Sequence, residues 1–385
     1  MSSHLTEAQQ ILVKRAHDFA DEFLEPIAAD LDVSGVFPKA LIGQLAKQDL
    51  LGLAVPKQSA MPGAGFVAHV EVAQALSQSC AAVASIINSH ALLTYAIGHW
   101  GSEAQQKQHL PALAKGEKLG ALAIQEDGPL PGVGTTALTA QRQGGGFTLN
   151  GTKTFVRNAG SADVYLVFAT VEPAADSNGL TGFIVQAGAG GLTAGPRLAT
   201  TGLRACPVAH LSFSNVAVAE ADILGGVNGG SVIASQILSV GAVAEGAQTV
   251  GIAKAAIRHA HDYAGKRVQF RHPIGRLQAI QTLLADIATD CHLGWLGVQH
   301  AARLIDLDSP FEPEAAMVKT FLGRFGSKML TDAIQIEGGM GISETVPKHI
   351  KLSLPLARMF RDIAGTTLLD APDDYPEKLI AAVIA

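Results

Sequence analysis

Glu245 is the residue of this 385-residue chain whose type and setting point most directly to chemistry. It lies in the apolar run from Ile233 to Ile257, whose other polar groups include Gln236, Gln248 and Lys254. Glutamate seldom enters such surroundings unless it is paired or takes part in a reaction. Glu245 therefore reads either as a proton acceptor or as a paired structural or interface carboxylate. Asn88, Ser89 and His90 form a polar island in the nearly continuous Ala, Val, Ile and Leu stretch from Val67 to His99, where a histidine is expected to be satisfied by its neighbours. His259, His261 and His272 place no third ligand, and Cys80, Cys206 and Cys291 lack metal-ligand spacing, so the reading assigns no metal. The chain has no Gly-x-Ser-x-Gly elbow, His-Glu-x-x-His helix, Walker loop, or strand followed by Gly-x-Gly-x-x-Gly.

These residues must be held by a large core. Hydrophobic residues make up 48% of the chain and charged residues 16%, and the 41 glycines mark many turns. The formal net charge of -6 gives no footprint for nucleic acid or an anionic membrane. The start of the chain lacks a signal-peptide pattern and the longest apolar run carries polar groups, so a cytoplasmic protein with reduced cysteines and no membrane span is expected. From Thr6 to about Leu53, apolar residues such as Ile11, Phe19, Phe23 and Ile27 recur at helical spacing, and Val67 to His99 suggests a helix pair buried on most faces. Near residue 120 the period changes to short alternating runs separated by Gly, Pro and Asn-Gly turns, which predicts an antiparallel β-domain with a surface loop at Glu172 to Asn178. Helical periodicity returns at about Ser231 to Ala264, Leu277 to Leu307 and Glu314 to Glu337. The expected class is α+β: an N-terminal helical domain over 1–118, a central antiparallel β-domain over 119–229 and a C-terminal helical domain over 230–385.

Named motifs in this order sharpen the reading. Trp100-Gly101-Ser102-Glu103 with Leu110-Pro111, Asn150-Gly151-Thr152-Lys153 with Asn158-Ala159, Gly202-Leu203-Arg204, Arg267-Val268-Gln269-Phe270 with Pro273-Ile274 and Gln278, and Gln335 with Glu337-Gly338-Gly339-Met340-Gly341 follow one another in a resemblance that holds register from roughly residue 5 to 367. The chain resembles the acyl-CoA dehydrogenase family. That resemblance implies a C-terminal domain like a four-helix bundle, an acyl-CoA or related thioester as substrate, and FAD held between subunits of a homotetramer or related assembly. For the nucleotide half of FAD it implies contacts from Arg267, Phe270, Gln278, Gln335, Gly338 and Gly339. For the flavin ring it implies contacts from Gln125, Phe155, Arg157 and Thr366. A guanidinium and a side-chain amide suit a pyrophosphate, and glycines let backbone N–H groups approach it.

The chain departs from the family pattern around the ring. The loop that usually reads Thr-Glu-Pro-Gly-x-Gly-Ser-Asp is here Gln125 to Gly132, with Leu130 and Pro131 at two phosphate-contacting positions. Arg157 stands where a threonine usually meets the flavin edge, placed either to stabilise a reduced ring or to fill the site. The α-proton base, a chemical requirement of dehydrogenation, is missing from both family positions: Ala364 replaces the usual glutamate and Gly241 occupies the other. Glu245, one helical turn from Gly241, is the first candidate for a relocated base, and Asp362 is the second. Ala242 stands where the family often has an arginine that supports CoA, and Pro372 with Asp373 and Asp374 interrupts the final helix. Three functions remain open: a working dehydrogenase with a relocated base; a partner subunit in a hetero-oligomer with a base-bearing homologue; and a flavin- or thioester-binding protein, either without redox turnover or performing an elimination.

Overall fold

The computed structural model describes residues 5–59, 63–127, 136–171, 179–344, 355–368 and 380–381. The segments around Leu130 and Pro131, the Glu172 to Asn178 loop, and Pro372 with Asp373 and Asp374 lie outside those residues. The chain opens with six helices: α1 (Glu7–Phe19), α2 (Ala28–Ser34), α3 (Lys39–Lys47), α4 (Phe66–Ser77), α5 (Ala81–Trp100) and α6 (Glu103–Ala114). Thr6 and Gln9 close a capping box on α1, each accepting the other's backbone N–H, and Ser102 and Gln105 do the same on α6. Every residue of α4, and every residue of α5 from Ala81 to Gly98, is buried, as an apolar sequence without an obvious polar face requires.

Eight strands follow: β1 (Gly120–Ala123), β2 (Thr139–Gln143), β3 (Gly146–Arg157), β4 (Val164–Thr170), β5 (Leu180–Gln186), β6 (Leu192–Ala194), β7 (Val208–Ala219) and β8 (Ile223–Leu224). They form one sheet in the order β6-β7-β3-β2-β4-β5-β8, with β1 also on β4. The sheet is mixed, which corrects the expectation of an antiparallel domain, because β1 and β2 both run parallel to β4. Alternation of side chains has period two in either direction, so the sequence pattern carries no information on strand polarity. β4 is buried on both faces: Val164, Leu166 and Phe168 join the helical core, while Tyr165, Val167 and Ala169 join a second core within the β-domain. The long β3–β7 pair breaks register between Lys153 and Val156. At that irregularity Phe155 takes a φ of 50° and turns outward, while Val156 and Arg157 turn in.

The C-terminal helices are α7 (Gly230–Lys266), α8 (Gln278–Asp306), α9 (Glu312–Glu337) and α10 (Leu356–Leu368), with a short hairpin of β9 (Val268–Gln269) and β10 (His272–Pro273) between α7 and α8. Glycines set their close approach: a Cβ on Gly246 of α7 would lie 2.6 Å from Val318 of α9, and one on Gly326 of α9 would lie 3.0 Å from Thr249 of α7. These contacts advance along both helices together, so α7 and α9 run parallel, with their C-termini at one end of the bundle. α5 and α7 are long and apolar enough to cross a membrane, but their apolar windows are 100% and 72% buried in this fold.

Candidate functional site

The outward turn at Phe155 places the next side chains against the helices. Asn158, with a left-handed φ of 62°, donates through Nδ2 to Ile86 O of α5 and Gly120 O of β1, fixing the end of β3. Arg157 thereby points into the interior at 4% exposure. Its Nη2 donates to Glu245 Oε1 at 2.9 Å, and its Nη1 donates to Ser85 Oγ at 3.3 Å. Glu245, on α7, is also 4% exposed. Lys319, from α9, lies 3.7 Å from the other carboxylate oxygen. Burial pushes the Glu245 carboxyl above its ordinary range, while Lys319 and Arg157 pull it back. The two residues the sequence singled out on separate grounds therefore form one buried ion pair. Sequence reasoning missed Ser85 and Lys319, although Lys319 carries the same signal as Glu245: a charge in an apolar turn, Met317-Val318-Lys319-Thr320-Phe321.

Asp362 lies elsewhere. Its Oδ1 accepts the Leu203 backbone N–H at 2.6 Å, and Arg358 lies 3.5 Å from its Oδ2. This carboxylate ties α10 to the Gly202-Leu203-Arg204 turn, whose backbone packs so closely that a Cβ on Gly202 would collide with Arg361 O. Thr366 is also engaged within the chain: its hydroxyl donates to Ile363 O and lies 2.9 Å from the Thr249 hydroxyl of α7.

The end of β3 lies among buried polar atoms that no described residue satisfies. Gln125 Oε1, Thr154 Oγ1 and His210 Nδ1 are buried without a hydrogen-bond partner among the described residues. Thr154 N–H donates to Gln125 O, and the Phe155 ring meets His210 edge-on at 5.5 Å, which gathers these groups around the β3 irregularity. Beneath them Lys153 is wholly buried, donating to Ile124 O at 3.1 Å and to Glu126 Oε1 at 2.7 Å. Glu126 also accepts the N–H groups of Ala137 and Leu138. Burial lowers the Lys153 ammonium to about 8 despite Glu126. Buried polar atoms normally have partners. The orphaned amide, hydroxyl and imidazole therefore leave hydrogen-bonding capacity that fits a polar ring edge at the β3 irregularity.

The residues expected to hold a dinucleotide's phosphates gather at the other end of the bundle. Arg267 caps α7, and Phe270 and Arg271 turn the hairpin with φ values of 51° and 69°. Phe270 is 82% exposed, and Gln278 opens α8 on the surface. Gln335 is exposed in the last turn of α9, followed by Gly338 at φ 61°. A Cβ on Gly338 or Gly339 would meet nothing within 4 Å, so this backbone is open to an approaching group. Because α7 and α9 are parallel, the structure brings Arg267, Phe270 and Gln278 to the same end of the bundle as Gln335, Gly338 and Gly339. An accessible guanidinium, two amides and bare glycine backbone fit a pyrophosphate. Glu337, between the amide and the glycines, is pushed up by burial to about 7. No group of three metal-ligating side chains occurs among the described residues.

The chain matches the acyl-CoA dehydrogenase N-terminal, middle and C-terminal domain models over residues 6–117, 125–216 and 228–385. It is 35% identical over 98% of both chains to an acyl-CoA dehydrogenase of Bacillus subtilis. The structure of butyryl-CoA dehydrogenase from Megasphaera elsdenii superposes over the whole of both chains with a TM-score of 0.92 at 30% identity. An FAD-dependent dehydrogenase superposes over 100% of this chain and 99% of its own, with a TM-score of 0.87 at 25% identity. The helix, sheet and bundle order, the inward-turned Arg157 and the exposed clamp at the end of α7 thus belong to a chain that is a member of the acyl-CoA dehydrogenase family.

Proposed function

We propose that this chain is an FAD-dependent oxidoreductase of acyl thioesters, with Glu245 as the base that removes the α proton. The observation that carries this reading is the placement of Glu245: a carboxylate 4% exposed, on the helix one turn from the family's alternative base position, in contact with Arg157 from the flavin-side strand. FAD supplies the acceptor for the hydride that leaves the β carbon. The α C–H electron pair closes the new double bond while the proton moves to a Glu245 oxygen, so two hydrogens leave and the thioester stays intact. Arg157 orients Glu245 Oε1 and carries a permanent charge that balances the carboxylate in a water-poor interior. The clamp of Arg267, Phe270, Gln278, Gln335, Gly338 and Gly339 holds the nucleotide half of a dinucleotide. Gln125, Phe155 and Thr154 meet its ring half. Because the clamp lies on the outer surface of the bundle, the reading includes an assembly in which a neighbouring chain completes the site; a homotetramer is the form proposed, in the cytoplasm.

The test is the visible spectrum of the purified protein and its response to acyl-CoA thioesters of different chain lengths. A yellow protein that bleaches on mixing, and a Glu245→Gln variant that stays yellow, are the expected results; single-turnover bleaching unchanged in Glu245→Gln removes the base assignment. A second reading is favoured by the engagement of Glu245 with two cations and by Ala364 at the usual base position. In it the chain is the partner subunit of a base-bearing homologue and contributes its clamp to that chain's flavin. A colourless protein that acquires flavin only on co-expression with such a homologue selects this reading.

A further inference from the structure

Glu245 has two carboxylate oxygens, and each meets a different element. Oε1 faces Arg157 of β3 at 2.9 Å, and Oε2 faces Lys319 of α9 at 3.7 Å. The Lys319 side chain is 12% exposed and sits one residue from Val318, which packs on Gly246, the neighbour of Glu245. The α7–α9 packing that makes the bundle therefore also delivers the ammonium to the carboxylate. We propose, building on Glu245 as the base, that Lys319 is a positioning residue of this site: it holds Oε2 opposite the Arg157 contact and keeps the carboxylate ionised and ready to accept a proton.

A single contact would leave the carboxyl plane free to turn about its bond to the side chain, whereas contacts on both oxygens from opposite elements fix it. Both cations also favour the charged form, against a burial that disfavours it. The polar groups described on α4, α5 and α10 around this part of α7 do not add charge. On α4, His69 bonds Asn88 of α5, which bonds Gln248, and burial lowers that imidazole to about 4, so it is neutral at neutral pH. On α5, Ser85 is a neutral hydroxyl. On α10, Thr366 bonds Thr249, one turn beyond Glu245. The Cys206 thiol beside Arg157 is raised by burial and stays protonated.

The experiment titrates Glu245 itself. The infrared carbonyl band of a protonated carboxyl group, assigned to Glu245 by its absence in Glu245→Gln, is followed against pH in the wild-type chain, in Lys319→Met and in Lys319→Arg. An opposite charge at this range lowers a carboxyl by roughly one to three units. The midpoint is therefore expected to rise by about that much in Lys319→Met and to return towards wild type in Lys319→Arg. If wild type and Lys319→Met titrate at the same pH, Lys319 does not hold the charge of Glu245 and the proposal fails. Should Lys319→Met not fold, Lys319→Gln carries the same measurement. Flavin reduction by acyl-CoA in Glu245→Gln judges the base reading separately: reduction that persists there removes the base, and the infrared midpoints still decide the role of Lys319.

Discussion

Asp306, the last residue of α8, accepts the backbone N–H of Phe66 on its Oδ1 at 2.5 Å and that of Val67 on its Oδ2 at 3.2 Å. The first turn of α4 has no side-chain cap of its own, since Gly65 precedes it, so a carboxylate 240 residues away supplies the cap. Asp306→Ala is expected to lower unfolding stability by about 1–2 kcal/mol in a denaturant titration, with Asp306→Asn losing less because it keeps one acceptor. Gly65→Ala should also destabilise, since its Cβ would lie 2.6 Å from Asp306 Oδ2 and the backbone sits at φ 99°. An unchanged midpoint in Asp306→Ala would show that water caps this helix equally well.

The buried pair of Arg157 and Glu245 gives a different signature. Removing one member strands the other in the interior, whereas removing both leaves only Lys319, whose side chain is 12% exposed, as a charge there. Arg157→Met is expected to cost roughly 3 kcal/mol, the low end for a broken buried pair because Lys319 remains beside the carboxylate. The double variant Arg157→Met with Glu245→Gln should recover most of that loss. A double variant as unstable as the sum of the singles would mean that the two groups act independently.

How far the sequence reaches can be judged on these same residues. Glu245 and Arg157 each stood out by type, one as a charge in an apolar run and the other as an arginine in place of a threonine. Their contact spans 88 residues, and periodicity shows which face of a helix is buried without showing what it meets. Lys319 shows as a charge in an apolar turn, but nothing in the sequence names Glu245 as its partner. The order of helices, sheet and helices followed from the change of period. The parallel placement of β1 and β2 on β4 did not, because a strand's alternation is the same in either direction. The Asp362 to Leu203 contact depends on where α10 docks, which only the assembled core decides.

Two buried histidines should make the protein acid-sensitive. His69 donates to Asn88 Oδ1, His90 accepts the Gly120 N–H on Nδ1, and burial lowers both to about 4 from an ordinary value of 6.5. The unfolded chain then binds more protons than the folded one between those values. Their contribution is present above pH 6.5 and is lost as pH falls through about 4, on the order of 3 kcal/mol for each. His90→Gln should flatten the fall in stability between pH 6.5 and 4, measured by urea unfolding at each pH. A slope equal to that of wild type would mean that His90 is not held neutral by the fold.

The exposed clamp leads to a prediction about flavin retention. Arg267 and Gln335 are exposed in this chain, so their replacement should leave folding intact. A hydrogen bond from a charged donor to a phosphate is worth about 1.5–3 kcal/mol, which is roughly a 10- to 100-fold change in Kd. Arg267→Gln is therefore expected to weaken FAD binding by about that factor, and Gln335→Ala by less, because an amide donor carries no charge. Both variants should unfold at the wild-type denaturant midpoint when flavin is stripped from all three proteins. The measurement is flavin absorbance retained per chain after gel filtration, with titration of FAD into the stripped protein. Wild-type affinity in both variants would place the phosphates away from the end of α7 and α9, and with them the dinucleotide site on which the functional reading rests.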